Sequence, residues 1–124
     1  EEILRAGHGV VFFPEGTSSD GSDVMHFKSS LFDAPIRMGC PVYAAAIAYE
    51  APEGWPPAST SVCWWGDMTF PDHLYRLLQL PWFEAQVIFS EGVEHHSDRR
   101  AFADASREAV GPPEGQSRGV EIGS

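Results

Sequence analysis

The stretch VVFFPEGTSSDGSDVMHFKSS, Val10 to Ser30, decides the reading of the fold. It opens on a continuous apolar run, Val10 to Phe13, the pattern of a strand buried on both faces. Pro14 ends that run, because proline has no amide proton to give to a sheet ladder. A loop of Gly, Ser, Thr and Asp follows, ordinary punctuation by composition. Yet Glu15 stands at the mouth of the expected strand, next to a glycine whose backbone a ligand can approach closely.

Working outward, EEILRAGHG reads as the last turns of a helix closed by glycine, without an N-terminal cap. We therefore expect the chain to start inside a domain. After the loop, Phe27, Leu31, Phe32, Ile36 and Met38 recur at mainly helical spacing, with Pro35 placed to shorten or kink that helix. PVYAAAIAYE (Pro41 to Glu50) reads as a second buried strand, SVCWW (Ser61 to Trp65) as a third, and FEAQVIFSEGV (Phe83 to Val93) as another. Between the last two, PDHLYRLLQL carries Leu74, Leu77 and Leu78 on one helical face. A final helix, Ser97 to Val110, is capped by Ser97 or Asp98. Strands alternating with helices describe an α/β fold, a mixed β-sheet covered by helices, in which ligands bind beyond the carboxyl ends of strands. Residues 1–110 form the domain part, and 111–124, without periodicity, a flexible tail.

With 124 residues, 43% of them hydrophobic, the chain is one domain or a piece of one. A formal net charge of −10 and only eight Lys and Arg disfavour nucleic acid as a partner, and none is expected, since phosphate neutralisation needs clustered cations. Cys40 and Cys63 lie far apart and belong to no C-x-x-C pair, which fits free thiols rather than a zinc or redox motif.

The loop tests poorly as a nucleotide or calcium site. Gly16 and Gly21 have the glycine spacing of a phosphate loop, but Ser22 stands in place of the lysine and Asp23 in place of the magnesium-binding hydroxyl. Asp20 and Asp23 would repel a polyphosphate, and Asp20-Gly21-Ser22-Asp23 lacks the alternating oxygen spacing of a calcium loop. His95, His96 and Asp98 form the one conceivable metal cluster, and a surface turn before a helix explains them more simply. No metal is expected.

FFPEGTSSDGS, then FKSSLF, then CPVYAAAIAY, in that order, resemble the third and fourth blocks of the glycerolipid acyltransferases of the 1-acyl-glycerol-3-phosphate acyltransferase type. WWGDM (Trp64 to Met68) resembles the downstream region of bacterial members, and the likeness extends over roughly residues 1–95. The resemblance implies a glycerol-3-phosphate acyltransferase-like fold, truncated at its N-terminus. It implies transfer of a fatty acyl group from acyl-CoA or acyl-carrier protein, as co-substrate and with no other cofactor, to a lysolipid hydroxyl in phospholipid biosynthesis. It further implies work at a membrane surface, at the cytoplasmic face of the bacterial inner membrane, peripherally or through missing sequence. Trp64, Trp65, Trp82 and the Leu74/Leu77/Leu78 face are candidates for that surface, against the plainer expectation that such residues pack in a core.

In that family a histidine ahead of an aspartate, H-x-x-x-x-D, serves as general base on the acceptor hydroxyl. None of the five histidines substitutes. His8 is followed by Phe12 and Phe13, His26 by an Asp33 too distant, His73 by Leu77, His95 by Arg99 and His96 by Arg100. No catalytic residue is therefore assigned in this chain, and it is expected to be inactive alone. The substrate-binding residues implied are Glu15 for the acceptor's polar group, Gly16 for close approach, Thr17 for a directional hydrogen bond, Ser18 and Lys28. Ser18 occupies the position where many members carry an arginine for the lysolipid phosphate, which opens two acceptors. Either a phosphate is met by another cation such as Lys28, or the acceptor is a different lysolipid, such as lyso-ornithine lipid. A non-catalytic lipid-binding module is the reading from another functional class.

Overall fold

Four aromatic rings set the centre of the molecule's first compact unit. In the computed structural model, which describes residues 1–111, Phe32 packs edge-on against Phe12, stacks with Phe27 and meets Phe102 at 5.5 Å. Phe102 is fully buried, and Ile36, Val42 and Val93 close around the cluster. This unit comprises residues 1–16, 25–44 and 89–110. The second unit, described separately, comprises residues 17–24 and 45–88 together with Gly111.

The elements run α1 (Glu2–Arg5), a 3₁₀ turn (Ser29–Phe32), α2 (Asp33–Met38), β1 (Val42–Glu50), α3 (Ala58–Ser61), α4 (Phe70–Gln79), β2 (Glu84–Val93) and α5 (Arg99–Val110). Pro35 lies in the first turn of α2, where its missing amide proton costs no helical hydrogen bond, and Gly39 ends that helix in the left-handed region. For α5 the cap is Asp98, whose Oδ1 accepts from the amides of Arg100 and Ala101 at 3.0 and 2.9 Å. These bonds, led by the one from Ala101, hold the Asp98 carboxyl below its usual range.

Both strands at Val42–Glu50 and Glu84–Val93 form as expected, and they pair with each other. Residue numbers fall along β2 as they rise along β1: Ala44 meets Ser90 in the first unit, and Tyr49 lies beside Phe83 in the second. The sheet is therefore antiparallel. At Ala44 a side chain takes over the ladder, with Ser90 Oγ accepting from the Ala44 amide at 3.2 Å. The Tyr43 ring lies over Gly92, covering the backbone that lacks a side chain.

Two expected strands are absent among the described residues. Val10–Phe13 forms no strand and has no ladder partner, and Val11 and Phe13 are 87% and 72% exposed. Only Phe12 turns into the core. The expected mixed sheet is accordingly a two-stranded antiparallel one. Ser61–Trp65 is instead the end of α3 and the turn after it, because Pro57 starts a helical turn and Ser61 Oγ bonds back to the Pro56 and Pro57 carbonyls. Helix α5 ends at Val110, and the expected tail lies outside the described residues except for Gly111.

Candidate functional site

The glutamate that drew notice in the sequence folds back on its own loop. Glu15 is half-buried, and its Oε2 accepts from the Met25 amide at 2.9 Å. The Met25 carbonyl in turn accepts from Arg107 Nε of α5 at 3.2 Å. A second tie, from the Lys28 amide to the Pro14 carbonyl at 2.8 Å, closes the base of the same loop. A carboxylate has room for several donors, so the Met25 bond leaves Oε1 with unused accepting capacity.

Gly16 has φ +67°, a left-handed conformation that disfavours any side chain. What approaches its bare face is Lys28: a Cβ built on Gly16 would lie 2.5 Å from both Cε and Nζ. The structure thus brings Glu15, Gly16 and Lys28 together in the first unit. Thr17 and Ser18 follow in the chain, are exposed and belong to the second unit.

The loop tip is held by Asp20, whose Oδ1 accepts from the Ser22 hydroxyl at 2.7 Å and the Ser22 amide at 3.0 Å. The hydroxyl bond first, then the amide bond, lower the Asp20 carboxyl below its usual range. Cys63 lies against Gly21, and burial, aided by the Asp20 charge, raises its thiol above the ordinary value. Both cysteines are free. His95 and His96 pack their rings on Phe102, at 5.5 and 6.1 Å, which gives the pair a packing role.

Two surface cavities lie elsewhere, and neither includes Glu15 or Lys28. One, of about 410 Å³, is bounded by Gly39–Pro41, Val93, His95 and Phe102 in the first unit. The other, of about 480 Å³, is bounded in the second unit by the Trp65–Met68 turn and by Asp72, His73 and Arg76 of α4. Sequence reading missed this second group. Asp72 and Arg76 at i and i+4 were visible, but nothing in the sequence set the turn at 65–68 against them.

The acyltransferase family profile matches residues 1–48, the segment that contains the Glu15–Gly16–Lys28 cluster. Over 123 residues the chain is 37% identical to a lyso-ornithine lipid O-acyltransferase of Rhodobacter capsulatus, covering 94% of this chain and 44% of that protein. The chain belongs to the glycerolipid acyltransferase family. It is also 31% identical over 112 residues to a 1-acyl-sn-glycerol-3-phosphate acyltransferase of Neisseria gonorrhoeae, covering 88% of this chain and 42% of that one. A lyso-ornithine lipid O-acyltransferase of Rhizobium meliloti is 34% identical over 110 residues, covering 78% and 37% respectively. This glycerolipid acyltransferase chain therefore spans less than half the length of these curated relatives. No solved structure matches it.

Proposed function

We propose that this chain supplies the acceptor-binding part of an enzyme that moves a fatty acyl group from a thioester, acyl-CoA or acyl-carrier protein, to a lysolipid hydroxyl. The observation that carries this reading is the Lys28 side chain folded across Gly16 beside the half-buried Glu15, inside the segment matched by the family profile. Lys28 offers positive charge to an acidic head group, Glu15 offers Oε1 to a hydroxyl or ammonium, and Gly16, bare of a side chain, leaves the space across which Lys28 lies. Thr17 and Ser18 add hydroxyl groups that donate and accept. The general base comes from residues outside this chain, because no histidine here stands at the family's distance from an aspartate.

Lyso-ornithine lipid is the acceptor this reading favours. Ser18 brings no guanidinium for a phosphate monoester, and relatives of that name match at 37% and 34% identity. The test is acyl transfer by the intact protein that carries this chain, with lyso-ornithine lipid and 1-acyl-glycerol-3-phosphate offered side by side. Preference for the first supports the reading, preference for the second transfers it to phosphatidic acid formation, and turnover of neither rejects both. The 124-residue chain alone is expected to form no ester.

The enzyme would work at a lipid surface on the cytoplasmic side of the inner membrane. No helix among the described residues is long and apolar enough to cross a bilayer. In α4, however, Phe70, Leu74 and Leu78 recur every four residues along one exposed face, with Leu78 74% exposed. Phospholipid vesicles should shift the tryptophan emission of the intact protein, and Leu78→Ser should reduce that shift. Emission indifferent to vesicles would remove this part of the reading.

A further inference from the structure

The clasp on Glu15 starts from a side chain at the opposite end of the described residues. Arg107, half-buried, lies in the last turn of α5, where a basic residue ordinarily complements the negative end of its own helix. It also reaches outward. Its Nε donates to the Met25 carbonyl, 82 residues earlier, at 3.2 Å. The root of that side chain is firm: Ser106, just before it, is 2% exposed and donates its hydroxyl to the Phe102 carbonyl at 2.8 Å, while Phe102 and Ala103 fill the core against the 3₁₀ turn.

One residue carries this anchorage to Glu15. Met25 takes the guanidinium on its carbonyl and gives its amide to Glu15 Oε2 at 2.9 Å, so the two bonds bracket a single α-carbon. Because peptide groups are planar, only φ and ψ of Met25 separate them, and holding the carbonyl restricts where the amide can point. On the other side, the Gly16 amide donates to the Phe13 carbonyl at 3.2 Å, a turn with Pro14 and Glu15 at its centre, and the Lys28 amide holds the Pro14 carbonyl. The Glu15 backbone is thus set by its own turn, and its carboxylate by Met25. All of these groups belong to the first unit.

We infer that Arg107 is a positioning residue for the acceptor site: through Met25 it holds the Glu15 carboxylate with Oε2 occupied and Oε1 left for the acceptor. The inference rests on the acceptor-binding reading above, and adds to it a side chain outside the segment that the family profile matches. Pre-organisation is the physical reason. A glutamate side chain already held in place loses less rotational freedom when the acceptor arrives. Since the general base lies elsewhere, the loss of that hold belongs in acceptor binding rather than in turnover.

The test uses the intact protein that carries this chain, with the lysolipid it acylates, lyso-ornithine lipid or 1-acyl-glycerol-3-phosphate. Arg107→Met removes the donor and keeps an apolar stem. Arg107→Gln removes the charge and keeps an N–H donor the same number of bonds from the backbone. Arg107→Met should raise the acceptor KM about fivefold, the worth of one hydrogen bond, with kcat, the thioester KM and far-ultraviolet circular dichroism unchanged. Arg107→Gln should recover most of that loss, and in a Glu15→Ala background Arg107→Met should raise the acceptor KM no further. Independently of catalysis, the Met25 amide proton resonance, assigned with Met25→Leu, should move upfield in Glu15→Ala and in Arg107→Met, and stay near its place in Arg107→Gln. A KM effect of Arg107→Met that persists in the Glu15→Ala background, an equal defect in Arg107→Gln, or a Met25 amide indifferent to Arg107→Met would overturn the inference. A fall in kcat with unaltered acceptor KM would do the same, marking Arg107 as support for the fold alone. Turnover of neither lysolipid, or a normal acceptor KM in Glu15→Ala, would reject the acceptor-site reading instead, and the Met25 resonance would still decide whether Arg107 holds the carboxylate.

Discussion

Gly16→Ala places a methyl group where the end of Lys28 already lies. Its two consequences are separable in magnitude. The backbone at φ +67° is left-handed, and holding alanine there costs about 1–2 kcal/mol. The overlap with Lys28, 2.5 Å to Cε and Nζ, involves the far end of a flexible and exposed side chain, which swings aside at little cost. Urea unfolding of the intact protein should therefore show a loss of about 1–2 kcal/mol, set by the backbone. Moving the ammonium has a different effect, the loss of about 1.5 kcal/mol of charge-assisted binding to the acceptor, or roughly tenfold in KM. Lys28→Ala should reproduce the KM change without the stability change. The decisive measurement is the double variant: once Lys28 is gone, Gly16→Ala should no longer alter KM, while its stability cost persists. A KM effect of Gly16→Ala that survives in the Lys28→Ala background would refute the reasoning, as would a stability indifferent to the alanine.

Phe102→Ala empties a fully buried position between Phe32 and the rings of His95 and His96, and should cost about 3–5 kcal/mol in urea unfolding. The Asp98 carboxyl is lowered by capping α5, so its stabilisation is complete above the unfolded aspartate pKa of about 3.9 and is lost as pH falls through the lower folded value. Asp98→Asn keeps an acceptor at the cap but cannot titrate, so acid unfolding followed by circular dichroism should show a shallower dependence on pH in that window. Cys63, with its thiol raised by burial, should react with iodoacetamide at neutral pH more slowly than a solvated thiol, and urea should remove the difference.

The elements legible in the sequence are those whose signal is local. α4 and α5 carry helical spacing and their own start signals, Thr69 with Pro71 and Asp72 in one case and Asp98 in the other. β1 and β2 alternate, or run apolar, between clear turns. Val10–Phe13 and Ser61–Trp65 were read as strands from composition alone, but a strand exists only where another chain segment completes its ladder, and an apolar run does not reveal that partner. The hydroxyl of Ser61 and the two prolines before it were the overlooked helical signals. At the candidate site, Glu15, Gly16 and Lys28 were visible as a motif. The engagement of Glu15 with an amide ten residues later was not, because it depends on how the intervening loop closes. The cavity between the Trp65–Met68 turn and α4 was hidden for the same reason, since it is a property of a turn and a helix packed together.

Met25 has a consequence for how this region can vary. Its amide is held by Glu15 and its carbonyl by Arg107, while Pro14 and Lys28 are joined just outside. Residues 17–24 are thus a detour with both feet pinned, and the entropy of closing such a detour grows only logarithmically, about 0.6 kcal/mol for each doubling of length. Descendants of this chain can lengthen or rewrite the detour at small thermodynamic expense, provided the clasp at Met25 is kept.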